Sequence, residues 1–236
     1  RVAQMQIQLP SLSVGLHVLS SSSPAPRYVF GAREWRRYYG DAGEEPLLPV
    51  DIENILDATC PFWGREGKKV RDTHLLTLIP ASVDGENFSL DLLRDLVTYP
   101  ACVKPRNKYS HYSLAVRSAF GAVSPEVSYW VLMARDALPG SHKHTYAMQE
   151  MMVDGHASRG YALPRALEAA TSILTHHVRT GERLFSFDSL TYTRCVEQVE
   201  GRGYPLAVGG FHSAGLAISN NTIDSFCGVS CVRKFY

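Results

Sequence analysis

The chain has 236 residues, of which 45% are apolar and 20% charged, and its formal net charge is +1 with nine histidines set neutral. That composition supplies a sizeable core and excludes a globally disordered chain. It holds no block of five like charges, so the basic stripe of a nucleic-acid binder is missing, and no apolar run approaches the roughly 20 residues that span a bilayer.

Residues 1–26 are polar and loosely patterned and end in Ser20-Ser21-Ser22-Ser23-Pro24-Ala25-Pro26. They predict a flexible or irregular segment ahead of a single domain over 27–236. They hold no signal peptide, and the first residue is Arg1 rather than Met. Tyr28-Val29-Phe30 reads as a short strand closed by Gly31, and Arg33 to Tyr39 as a short helix stopped by Gly40. Trp35, Arg36 and Tyr39 are candidate binding residues, with Arg135 further on, because Trp, Tyr and Arg are favoured interface anchors. The competing reading is that Trp35 and Tyr39, four apart, face the core. Asp51 is expected to cap a helix through Ile52, Ile55 and Leu56.

Thr73 to Pro80 and Ser128 to Ala134 are short, nearly unbroken apolar runs, as expected of strands covered on both faces. Leu75–Ile79 and Tyr129–Met133 are therefore predicted as central strands of one sheet. Between them, Asp84-Gly85 marks a turn, and Ser89 caps a helix carrying Leu90, Leu92, Leu93, Leu96 and Val97. His144 to Val153 is helix-like, and its Met148, Met151 and Met152 read as packing rather than as a groove. Pro164 opens the clearest helix, with Leu163, Leu167, Ala170, Leu174 and His177 on one stripe and Gly181 at its end. Arg165, Glu168, Thr175, His176 and Arg179 of this helix are expected to face water. Beyond it, residues 183–187, 192–199, 206–211, 216–219 and 228–235 are all β-like. Helices in the middle and strands late predict an α+β fold with a β-rich C-terminal part.

The phosphate-binding, dinucleotide and common hydrolase signatures are all missing. Three weaker constellations remain. Cys60 lies on a loop after a helix, and His74, with Asp72 two residues before it, opens a buried strand; a thiol nucleophile needs such a base. The competing reading makes Cys60 a core residue and His74 a partner of a backbone carbonyl. The second is the loop Arg135 to His144, which follows a buried strand where α/β folds often build sites. Asp136 and His142 are its candidate catalytic residues, and Asp136 is expected to pair with an Arg or a His. A metal at His142 and His144 would need further ligands such as Asp136, Glu150 or His176, so no metal set is assigned. The third is Cys227 with Cys231, read as buried thiols. An odd count of five cysteines, the first three spacings wide, predicts a reducing compartment and no disulfide. No cofactor is indicated.

Several stretches together carry a resemblance: Val29-Phe30-Gly31-Ala32 with Trp35, Cys60-Pro61-Phe62-Trp63, Thr73 to Pro80, Ser128 to Met133, the Arg135-Asp136 loop, Leu163 to Glu168, Tyr192-Thr193-Arg194-Cys195 and Val208-Gly209-Gly210-Phe211. The set resembles an uncharacterised protein family of amoeba-hosted, chlamydia-like intracellular bacteria, over residues 28 to 235. That family carries no established activity and so implies no catalytic residues. It implies a setting: a protein of the bacterial cytoplasm, or one delivered into a host cell's cytosol, with host-contact roles. The readings rank as a protein-interaction or effector module with a protein partner first. An enzyme of unrecognised type, hydrolase or transferase, comes second, with its site near Arg135–His144 or Cys60/His74. A structural, self-assembling subunit comes third.

Overall fold

The computed structural model describes residues 26–101, 106–186, 191–201, 203–220 and 227–236. The predicted N-terminal segment and Cys102 lie outside the described residues, apart from Pro26. In chain order the elements are β1 (Val29–Phe30), α1 (Ala32–Tyr38), α2 (Ile52–Asp57), α3 (Val70–Thr73), β2 (His74–Ile79), β3 (Ser82–Val83), β4 (Glu86–Asn87), α4 (Leu90–Thr98), β5 (Tyr109–Tyr112) and α5 (Leu114–Phe120). They continue as β6 (Tyr129–Ala134), α6 (Tyr146–Asp154), β7 (Tyr161–Ala162), α7 (Ala166–Thr180), β8 (Tyr192–Gln198), β9 (Pro205–His212), β10 (Gly215–Ser219), β11 (Cys227–Gly228) and β12 (Val232–Phe235). The fold is α+β with a β-rich C-terminal part.

Two five-stranded sheets make the frame. The first runs β1-β2-β6-β12-β7 and the second β11-β8-β9-β10-β5. β2 and β6 pair antiparallel from His74↔Ala134 to Ile79↔Tyr129, and every residue of both is buried. Both are interior strands of one sheet, as their unbroken apolar runs require. β12 crosses back from the far end of the chain to lie between β6 and β7.

α7 packs on β2 and β6 of the first sheet and on β8, β9 and β10 of the second, so it lies between them. Twelve of its fifteen residues are buried. Small side chains at Ala166, Ala169, Ala170, Thr171 and Ser172 let both sheets approach the helix axis. This corrects the expectation of a water-facing side: Glu168, Thr175 and His176 are buried, and only the flanking Arg165 is exposed. Gly181 ends the helix with φ +78°, a left-handed conformation that glycine adopts without strain.

Local signals act where predicted at two helix starts. Ser89 Oγ accepts from the Leu92 amide at 3.3 Å and Ser113 Oγ from Val116 at 3.3 Å. Asp51 precedes α2 but makes no side-chain cap bond. Met148 and Met151 are exposed on α6, against the packing expected of them. Cys60, Cys195, Cys227 and Cys231 are buried thiols outside any disulfide.

Candidate functional site

A cleft opens where the C-terminal end of β6 meets the N-terminal end of β2. Its volume is about 340 Å³. β6 delivers Arg135 and Asp136 just past its last residue, and the Arg135 amide donates to Thr73 O at 2.9 Å, which fixes the strand end against the start of β2. The residues after α7 form the opposite wall with Glu182, Arg183 and Phe185. Phe185 is buried and holds φ +49°, a left-handed conformation costly for a bulky residue.

Charge of both signs lines this cleft: Lys68, Arg135 and Arg183 against Asp72, Asp136 and Glu182. Glu182 is the most engaged. Its Oε2 accepts from Arg135 Nη2 at 2.8 Å and lies 2.8 Å from His176 Nε2. Although partial burial opposes it, the bonds from His176 and Arg135 hold the Glu182 carboxyl below its usual value. His176 is pushed down mainly by its own burial, and so is neutral at pH 7 and donates through Nε2. Lys68 pairs with Glu66 at 2.6 Å, and the Asp72 carboxylate caps the Lys69 amide at 2.9 Å. Arg183 lies over the Phe211 ring at 5.8 Å. Asp136 Oδ1 accepts from the Ala137 amide at 2.7 Å. Asp72 and Asp136 have no cation partner, and Arg183 no carboxylate, among the described residues.

The structure thus brings Arg135 and Asp136 together in a cleft but separates them from the other candidates. Asp136 is exposed, and the Arg or His partner expected of it is instead the backbone of Ala137. His142 is exposed away from the cleft, beside Gly228. Cys60 is 1% exposed, its amide bonded to Lys68 O at 2.9 Å. His74 is fully buried under the cleft wall, ringed by Phe62, Trp63 and Tyr161 at centroid distances of 6.4, 6.4 and 5.7 Å. Its Nδ1 meets Thr73 Oγ1 at 2.9 Å, and Nε2 has no partner among the described residues. That burial lowers the His74 pKa to about 4. A neutral histidine and a thiol both shut from solvent have no route to a substrate, which corrects the Cys60/His74 reading. No histidine or cysteine lines the cleft, and no three His, Cys, Asp or Glu among the described residues are grouped to hold a metal ion.

The surface anchors are corrected too. Trp35 is fully buried, donates Nε1–H to Leu78 O at 2.9 Å and stands edge-on to Phe88 at 5.2 Å. Tyr39 packs beside it at 5.5 Å. Spacing of four put both on the inner face of α1. Arg36 alone is on the surface, paired with Asp41 at 3.1 Å.

A second groove of about 290 Å³ lies at the start of α7, lined by the apolar Phe120, Val123 and Val196 and by Tyr129, Arg165 and Glu197. Behind it Glu168 is fully buried, and its Oε1 accepts from Tyr129 Oη at 2.7 Å and Lys234 Nζ at 2.6 Å. Burial, reinforced by the Glu168 charge, raises the Tyr129 hydroxyl far above its ordinary range. Glu168 Oε2 accepts from the Arg165 amide at 2.8 Å, and Glu197 accepts from the next amide, Ala166, at 3.0 Å. Two carboxylates thus satisfy two of the free N–H groups at the helix start.

Sequence reading missed Glu182 and the Glu168–Lys234 pair, and placed His176 in water or as a metal ligand. Glu182 lies 47 residues from Arg135 and the pair 66 apart, so no local pattern joins them. The one available signal was the run of small residues in α7, which marks a helix contacted on both sides. In comparisons with family models, curated proteins and solved structures, the chain matches none. No helix among the described residues is long and apolar enough to cross a membrane.

Proposed function

We propose that the protein is an interaction module, and that the cleft at the end of β6 receives a basic segment of a partner protein. One observation carries this reading. Of the six charged residues lining the cleft, Arg135 and Glu182 neutralise each other and Lys68 is paired with Glu66. What remains uncompensated is two carboxylates, Asp72 and Asp136, and one guanidinium, Arg183. A Lys or Arg of the partner would meet Asp136 and Asp72, and a neighbouring acidic group or chain carboxylate would meet Arg183. Such charged contacts set specificity and association rate more than affinity, so binding should be modest and salt-sensitive. In the setting implied by the resemblance to proteins of intracellular bacteria, that partner belongs to the bacterium or to its host.

Fluorescence anisotropy with labelled basic and acidic peptides of equal length tests this. The basic peptide should bind at low ionic strength, weaken several-fold in high salt, and lose affinity to the Asp136→Asn variant. Equal behaviour of the two peptides, or an unchanged affinity in Asp136→Asn, would remove the cleft as the binding site.

A further inference from the structure

α7 carries buried polar groups that the cleft lining does not use. Ser172 Oγ and His176 Nδ1 are both buried, and neither has a hydrogen-bond partner among the described residues. They are four apart on a helix and so neighbours on one face. Both border a small cavity of about 10 Å³ between α7 and the β1–β2 edge, with Thr77, Thr175 and Arg179 also on its wall. A water molecule needs roughly 10–15 Å³ of such space and two to four polar partners. Buried polar atoms left unpaired are rare because each forfeits its hydration without return.

We propose that one water molecule is bound in this cavity, accepting from the Ser172 hydroxyl and donating to His176 Nδ1 and Thr175 Oγ1. The proton inventory closes. Thr175 Oγ1 spends its own hydrogen on Thr171 O at 2.7 Å and keeps lone pairs for the water. His176 Nε2–H is committed to Glu182 Oε2 at 2.8 Å, so Nδ1 is the bare acceptor. The result is one continuous chain: Ser172, water, His176, Glu182, Arg135. Its inner end is locked inside the helix–sheet interface and its outer end stands in the cleft. His176 is thereby a positioning residue, holding the Glu182 carboxylate against Arg135. That consequence rests on the cleft reading; the water site does not.

The same three side chains, Ser172, His176 and Glu182, also stand in the order nucleophile, base and orienting acid. Two facts favour water over catalysis. Ser172 is fully buried, and the free space beside it, about 10 Å³, is that of a single water.

Long-range ¹H–¹⁵N correlation of the labelled protein at neutral pH reads the histidine tautomers directly, and a high-resolution crystal structure reads the water. The Nε2–H tautomer of His176, together with density within hydrogen-bonding distance of Ser172 Oγ and His176 Nδ1, is the expected result. Ser172→Val should fill the cavity, expel the water and shift the His176 Nδ1 resonance. An Nδ1–H tautomer, a site without density, or covalent labelling of Ser172 by a fluorophosphonate would each overturn the proposal. The wild-type tautomer and density decide the matter even if the variant fails to fold. Loss of peptide binding in the cleft with an intact water site would sink the proposed function and leave this inference standing.

Discussion

Mild acid should destabilise this protein, and His74 should be a main cause. His74 is fully buried on an interior strand among Phe62, Trp63 and Tyr161, with no carboxylate among its contacts, and its pKa falls from 6.5 to about 4. Above pH 6.5 the residue is neutral in both folded and unfolded chains and contributes nothing to the pH dependence. Below it the unfolded chain takes up a proton that the folded chain refuses, so stability falls with pH until His74 itself protonates near 4. The gap is worth about 3 kcal/mol in full, and about 2 kcal/mol of it is lost by pH 5, at roughly 1.4 kcal/mol per pH unit. His74→Leu removes the group at similar volume. Thr73 Oγ1 keeps its bonds to Lys69 O and Val70 O, so the change strands no donor. Urea unfolding at pH 7.5 and pH 5 measures the loss in each protein, so any change in packing cancels. His156, His176 and His177, all lowered mainly by burial, add to the slope in both proteins. The variant should lose about 2 kcal/mol less than the wild type across that interval. Equal losses would show that His74 does not exclude a proton in the folded state.

Other substitutions separate core from surface and paired from unpaired charge. Trp35→Ala should cost about 3–5 kcal/mol in urea unfolding, as emptying a buried aromatic site does, whereas Arg36→Ala should leave the midpoint unchanged; the reverse order would restore Trp35 as a surface anchor. Glu168→Ala leaves Lys234, the Tyr129 hydroxyl and the Arg165 amide without their acceptor and should cost about 3–5 kcal/mol, while Glu168→Leu combined with Lys234→Met removes only the unpaired charge and should recover part of it. Cys60, Cys195, Cys227 and Cys231 should react with a thiol reagent only in denaturant, and rapid labelling of any of them in the native protein, read by mass spectrometry, would contradict their burial.

What the sequence determined by itself is whatever local chemistry decides. Two apolar runs without polar alternation had to be strands covered on both faces, and β2 and β6 are adjacent interior strands. Ser89 capped its helix because a hydroxyl placed before an apolar run finds a free amide. The Arg135–Asp136 position at a strand end was legible for the same reason: the run turns from apolar to charged where the chain leaves the sheet. Tertiary structure alone decided the rest. The stripe on α7 marked one buried face, where His177 meets Phe211 of the second sheet, yet the first sheet closes over the other, and so His176 and Glu168 are buried rather than solvated. Spacing set Trp35 and Tyr39 on one face of α1 but could not say that this face points inward. Glu182 reaches Arg135, and Lys234 reaches Glu168, only because β6, α7 and β12 are brought side by side, and sequence separation carries no information about that. Burial is a property of the assembled layers, and burial is what makes His74 a proton-excluding core residue instead of a base.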